Sequence, residues 1–207
     1  MFSRRTVVYL TRCLSSIRTS ASGQNESNLV PRSLPEPLVL AINGQINEEY
    51  CASYIYRSIS YHFATSSVCL LGLSEFYRKL ATEETEHAES LADFLLFRNN
   101  PVTLETIAKP PERKWSANIG KTLCETVELE TKLSGSLSLV YEAAEKQRDV
   151  VLMDFLTKRF LRQQCDSLRT LQQLTTKWNQ LAAAPDGTYQ FDREVRKWIR
   201  SSGHLPK

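Results

Sequence analysis

LSEFYRKLATEETEHAESLADF, residues 73–94, sets Leu73, Tyr77, Leu80, Glu84, His87, Leu91 and Phe94 at alternating intervals of three and four. That spacing is one face of a helix, apolar except at its centre, where a glutamate and a histidine stand three residues apart. A core excludes such groups unless something compensates them. The same pattern recurs three more times along the chain.

Upstream, across a break near 64–67, Ile42, Gln45, Glu49, Ala52, Tyr56, Ile59 and Phe63 share a face. Downstream, Leu123, Val127, Glu130, Ser134, Leu137, Tyr141 and Ala144 form a third seam. Past a polar break at 146–149 a fourth runs through Val150, Met153, Thr157, Phe160, Gln164, Ser167, Leu171, Leu174, Trp178 and Leu181. The eight prolines fall at 31, 35, 37, 101, 110, 111, 185 and 206, so the windows 38–100 and 112–184 contain none. Each window therefore predicts two helices of roughly 27 to 31 residues, about 40 to 46 Å long.

Short links within a window force antiparallel hairpins, whereas 99–116, with Asn99, Asn100 and three prolines, is long enough to run the length of a bundle. The expected fold is all-α, a four-helix bundle with one long crossover. A short fifth helix follows at about 188–200, carrying Arg193, Arg196, Lys197 and Arg200 with Val195, Trp198 and Ile199. A bundle with two crossovers would need a second long connection, which this stretch lacks.

Composition agrees. At 207 residues, 42% hydrophobic and 24% charged, the chain has material for one sizeable domain. Its formal charge is +3, but residues 1–24 hold Arg4, Arg5, Arg12 and Arg18 and no acid, leaving 22 cations against 23 acids in the rest. A nearly neutral body argues against nucleic-acid binding, which exploits a strong basic patch. The first 24 residues, rich in Ser and Thr with Val7, Leu10, Leu14 and Ile17 at helical spacing, have the pattern of a mitochondrial presequence. We therefore expect residues 1–37 to be presequence and linker, residues 38–207 to be the folded domain, and the destination to be the mitochondrial matrix, with the cytoplasm as the alternative. No stretch approaches the roughly 20 apolar residues of a membrane span, so no membrane partner is expected. Cys13, Cys51, Cys69, Cys124 and Cys165 form no CxxC pair and read as free thiols.

Glu49, Glu84, His87, Glu130 and Gln164 all occupy seam positions near the middle of their helices. Three buried carboxylates need cations or one another's protons, and a divalent metal answers that need. Glu84 and His87 point the same way and offer an oxygen and an imidazole to one site. Oxygen donors with a single nitrogen suit iron or manganese better than structural zinc. Tyr56, two turns beyond Glu49, is within reach of such a site or is an ordinary core tyrosine with a hydrogen-bond partner. Glu83, Glu86 and Glu89 form an acidic stripe beside the pair, either a solvated face or a surface that collects cations.

The runs INGQINEEYCASYIYRSISYHF at 42–63 and EETEHAESL at 83–91 resemble the first two helices of ferritin heavy chains. The likeness continues through VELETKLSGSL at 127–137 and DFLTKRFLRQQ at 154–164, over about residues 36–195. With the leader, the whole resembles a ferritin of the mitochondrial, oxidase-competent type. The resemblance implies a ferritin-like bundle with two irons per subunit, cycling between Fe(II) and Fe(III). Glu49, Glu84 and His87 match the ligands of the first iron. Glu84 bridges to the second, for which Glu83 and Glu130 match further ligands, while Gln164 completes its surroundings and Tyr56 hydrogen-bonds at the centre. Glu83, Glu86 and Glu89 match the acidic patch of mineral nucleation. The implied activity is oxidation of Fe(II) by dioxygen and storage of ferric mineral in a homo-oligomeric shell of 24 subunits.

Two departures stand out. At the three-fold channel Asp154 matches one acidic position, but the second acid is Thr157, followed by Lys158 and Arg159, so steering of cations there is in question. Similarity also fades in the terminal helix. Two other functions fit the pattern: a structural cage subunit without oxidase activity, and a diiron oxygenase or peroxidase.

Overall fold

The computed structural model describes residues 33–112 and 114–202. The basic segment and the start of the expected linker lie outside the described residues. Five α-helices make up the fold: α1 Glu36–Ala64, α2 Leu71–Phe97, α3 Ile119–Lys146, α4 in segments from Val150 to Leu181, and α5 Gly187–Ser202. A 3₁₀ turn, Trp115–Asn118, leads into α3. This is the expected ferritin-like four-helix bundle with one long crossover and a short C-terminal helix, with no strand among the described residues.

The folded part begins before position 38. Leu34 is buried in the core, its backbone N–H donates to Asn100 Oδ1 at 2.9 Å, and Ser33 Oγ accepts from the Asn100 amide. Part of the segment expected to be linker is therefore docked. The crossover is held to α1 by side-chain amides. Asn43 accepts from Thr103 N–H at 2.8 Å and donates to the Pro101 carbonyl, and Asn47 donates to the Thr106 carbonyl. At the far end Ser116 N–H donates to His62 Nε2 at 3.1 Å. An extended segment has no ladder of its own, so borrowed partners at both ends fix its path.

Helix ends are closed in different ways. Asn118 caps α3 through Lys121 N–H, and Asp149 caps α4 through Leu152 N–H. Asp149 also takes both arms of the Arg98 fork, at 3.0 and 2.7 Å, tying the end of α2 to the α3–α4 turn. Those bonds hold its carboxyl below the usual aspartate range. Asn99 and Arg148, with φ of 54° each, end α2 and α3 in the left-handed conformation. In both cases the following N–H reaches back to an orphan carbonyl, Asn100 to Leu95 and Asp149 to Ala144. The start of α2 is capped from far away in the chain: Asp192 of α5 accepts from Gly72 and Leu73 N–H at 3.1 and 2.8 Å. A Cβ on Gly72 would meet the Asp192 carbonyl at 2.0 Å, so this approach requires glycine.

The α1 and α2 seams are buried throughout, as expected. Two expectations shift. In α3 the buried line runs through Thr122, Thr126, Leu133 and Val140 beside Glu130 and Leu137, while Val127, Ser134 and Tyr141 are only half-buried. In α4 the expected Val150, Met153 and Thr157 give way to Leu152 and Leu156, while Phe160 is buried as expected, and Val150 is 73% exposed. The cause is a π-helical turn, Thr157–Leu161, between Val150–Leu156 and Arg162–Leu181. Steps of four residues drift around an α-helix by about 40° each. The wider π turn absorbs the drift, so Leu152, Leu156, Phe160 and Gln164 stay on one face.

Candidate metal centre

Four helices each lend a polar group to one layer. Glu49 comes from α1, Glu84 and His87 from α2, Glu130 from α3 and Gln164 from α4, none more than 5% exposed. Above and below lie separate apolar clusters. One is built around Tyr56, Phe63, Phe76, Tyr77 and Leu171, the other around Ile42, Ile46, Leu91, Leu152 and Phe160. The layer is thus shut off from water by the two halves of the core.

One oxygen of Glu49, one of Glu84 and a ring nitrogen of His87 lie within 4.8 Å of one another, close enough to share a single cation. Glu84 Oε2 is 2.8 Å from His87 Nδ1. The charge of Glu84 acts on Glu49, and that of Glu130 acts on Glu84, so Glu84 stands between the triad and the α3 carboxylate. Tyr56 Oη donates to Glu130 Oε1 at 2.6 Å. The His87 ring packs on Phe160, centroids 5.3 Å apart. The π turn of α4 thereby sets one wall of the centre.

Charge in this layer is costly. Burial, and then the neighbouring charge of Glu84, raise the Glu49 carboxyl well above the ordinary value. Burial and then Glu130 do the same to Glu84. Glu130 is pushed up to about 7, chiefly by burial, against the lowering effect of the Tyr56 bond. Burial and the charge of Glu130 hold the Tyr56 hydroxyl in its protonated form well past its usual range. Glu49 Oε2, His87 Nε2, and the amide oxygens of Gln45 and Gln164 are buried without a protein partner. Each such atom costs about 1–3 kcal/mol. Crowded carboxylates with unsatisfied donor atoms beside a histidine are a donor set suited to a hard divalent cation.

The structure brings Glu49, Tyr56, Glu84, His87, Glu130 and Gln164 into one layer. Glu83 is half-buried at its edge, 3.9 Å from Lys79, and its charge reaches Glu84 and Glu130. Glu86 and Glu89 are exposed on the neighbouring face of α2. One contact was not singled out from the pattern: Gln45 Nε2 donates to Glu49 Oε1 at 2.6 Å. Its signal was present, since a second polar group one turn from Glu49 lies in the same apolar seam.

Residues 39–181 match the ferritin-like domain family, described as Ferritin. The chain belongs to the ferritin family. It is 31% identical to a ferritin of Pacifastacus leniusculus over 75% of this chain and 86% of that one. Against a ferritin heavy chain of Echinococcus granulosus it is 31% identical over 81% of this chain and 96% of that one. A chloroplastic ferritin of Vigna unguiculata is 32% identical over 75% of this chain, which spans 61% of that relative. As a ferritin it is a subunit of an iron-storage protein, iron-binding and oligomeric in kind.

Two features mark this ferritin. Asp154 is exposed and bonds Lys158 at 2.8 Å, while Thr157 turns its hydroxyl back onto the Met153 carbonyl. The acid expected to guide cations is thus matched by a cation one turn along. Helix α5 lies beyond the family match and packs through Phe191 and Val195, with Arg196 and Arg200 paired to Glu75 of α2.

Proposed function

We propose that this ferritin is a ferroxidase that oxidises Fe(II) with dioxygen inside the bundle and stores the ferric product in a homo-oligomeric shell of 24 subunits. The observation that carries the reading is the buried layer in which Glu49, Glu84 and His87 converge, with Glu130, Gln164 and Tyr56 beside them. Iron is the substrate here. Glu49, Glu84 and His87 receive one Fe(II), and Glu84, Glu130, Glu83 and Gln164 receive the other. Each Fe(II) loses one electron, and one dioxygen takes up the two.

The carboxyls that burial keeps protonated give up their protons as the cations enter, and anionic oxygen donors favour Fe(III) over Fe(II). Tyr56 keeps its proton and holds Glu130 in place. Glu83, Glu86 and Glu89 then offer an acidic path for ferric product toward the mineral.

Adding Fe(II) in air to the purified protein is expected to give ferric absorbance far faster than buffer, on particles that sediment as a 24-subunit shell. A rate equal to buffer would leave a structural cage subunit. A small oligomer with no mineral core would favour a diiron oxygenase or peroxidase instead.

The stretch ahead of the docked Ser33 acts in this reading as a mitochondrial presequence and linker, placing the storage shell in the matrix. Fused to a fluorescent reporter, this stretch should carry it into mitochondria, and a cytosolic signal would refute that destination.

A further inference from the structure

Gln45 is an uncharged residue outside the proposed ligand set, yet it is 1% exposed and lies one turn from Glu49 in the α1 seam. Its neighbours along that seam, Ile42 and Ile46, are apolar core residues. Burying a primary amide among them is unfavourable unless it makes bonds. It makes one, from Nε2 to Glu49 Oε1 at 2.6 Å, while its own Oε1 has no partner. Glu49 therefore has unequal oxygens: Oε1 is engaged by the amide, and Oε2 is buried without a partner.

We propose that Gln45 is the positioning residue of the centre, holding Glu49 by one oxygen so that the carboxylate offers the other, and only the other, to the incoming cation. The inference rests on the reading of Glu49, Glu84 and His87 as the cation site. A carboxylate on a helix can rotate about its last bond and chelate through both oxygens. An amide donor fixed one turn away removes that freedom, because the same α1 backbone carries both groups at i and i+4. Partners that orient a ligand in this manner typically govern affinity and activity by about 10- to 100-fold.

The test uses Co(II), which binds oxygen and nitrogen donors without reacting with dioxygen on this timescale and reports its coordination in the visible spectrum. Wild type, Glu84→Ala, Gln45→Met and Gln45→Asn would be titrated as assembled protein, with the melting temperature of each metal-free form measured alongside. Methionine keeps the volume, and asparagine keeps the amide but is one methylene too short to reach Glu49. Both variants are expected to bind Co(II) at least about tenfold more weakly, with weaker visible bands, as two-oxygen chelation by Glu49 raises the coordination number. A pure packing role would leave the spectrum of Gln45→Met unchanged. Wild-type affinity and spectrum in either folded Gln45 variant, with Glu84→Ala failing to bind, overturns the positioning role and leaves the site standing. Equal binding by wild type and Glu84→Ala overturns the site itself.

Discussion

Glu84→Gln is expected to slow aerobic Fe(II) oxidation by at least about 100-fold, the upper end of what changes around a metal ligand produce, while the helical fold persists. Glu84 touches His87, offers an oxygen within 4.8 Å of one on Glu49, and feels the charge of Glu130. In the proposed function it is the group through which two cations are held as neighbours. Glutamine has the same shape, so no cavity forms, but it lacks the anionic charge that binds Fe(II) and stabilises Fe(III).

Stability should move the other way. Burial and the charge of Glu130 hold the Glu84 carboxyl well above its ordinary value, so the metal-free protein bears a cost that the amide does not. A higher melting temperature in the metal-free variant, together with lost oxidation, is the expected pair of results, as is common where function requires strained chemistry. Stopped-flow ferric absorbance and a thermal melt measure both. Wild-type oxidation in Glu84→Gln would remove the bridging role.

The second large effect concerns pH. Glu49, Glu84 and Glu130 all have folded values raised above their ordinary 4.5, with Glu130 at about 7. Where a carboxyl is raised on folding, the native state binds more protons than the unfolded chain, so stability falls as pH rises from the ordinary value through the folded one. The metal-free protein is thus expected to be more stable near pH 5 than near pH 8, with Glu130 alone contributing on the order of 2 kcal/mol. Asp149, held low by Arg98, has the opposite sign and costs stability only as pH falls through the acid range below its ordinary 3.8. Melting curves from about pH 5 to about pH 8 measure the effect. Glu130→Gln should flatten them, and added Zn(II), which is redox-silent, should raise the melting temperature more at the alkaline end. Stability that is level or rises across that window would show that the carboxylates are not held protonated by burial.

Most of the centre was legible from spacing alone. Glu84 and His87 fall three apart inside an apolar stripe, and Glu49 and Glu130 interrupt their own stripes near mid-helix, because a helix converts sequence separation directly into direction. Helix number, antiparallel pairing and the crossover followed from seams and prolines for the same reason. The phase of the first half of α4 was not legible. A π turn alters the residue count per turn, and the three- and four-residue rule misassigned Val150, Met153 and Thr157 to the core in place of Leu152 and Leu156. The burial line of α3 was misjudged by one residue in part, since Thr122 and Thr126 are polar by type, yet Thr126 Oγ1 is satisfied by the Thr122 carbonyl, and Tyr77 Oη lies 3.0 Å from it.

The sequence by itself determined what is local: which stretches are helical, which faces α1 and α2 bury, and which acids, amides and histidine must enter the core together. Only the tertiary structure decided what is long-range. It selected Glu49 Oε2 as the oxygen left free, joined Tyr56 to Glu130 across 74 residues of chain, and set Asp192 of α5 on the start of α2. Those outcomes depend on distances between helices, and interhelical distance is set by how side chains of both partners interdigitate, which no single helix encodes.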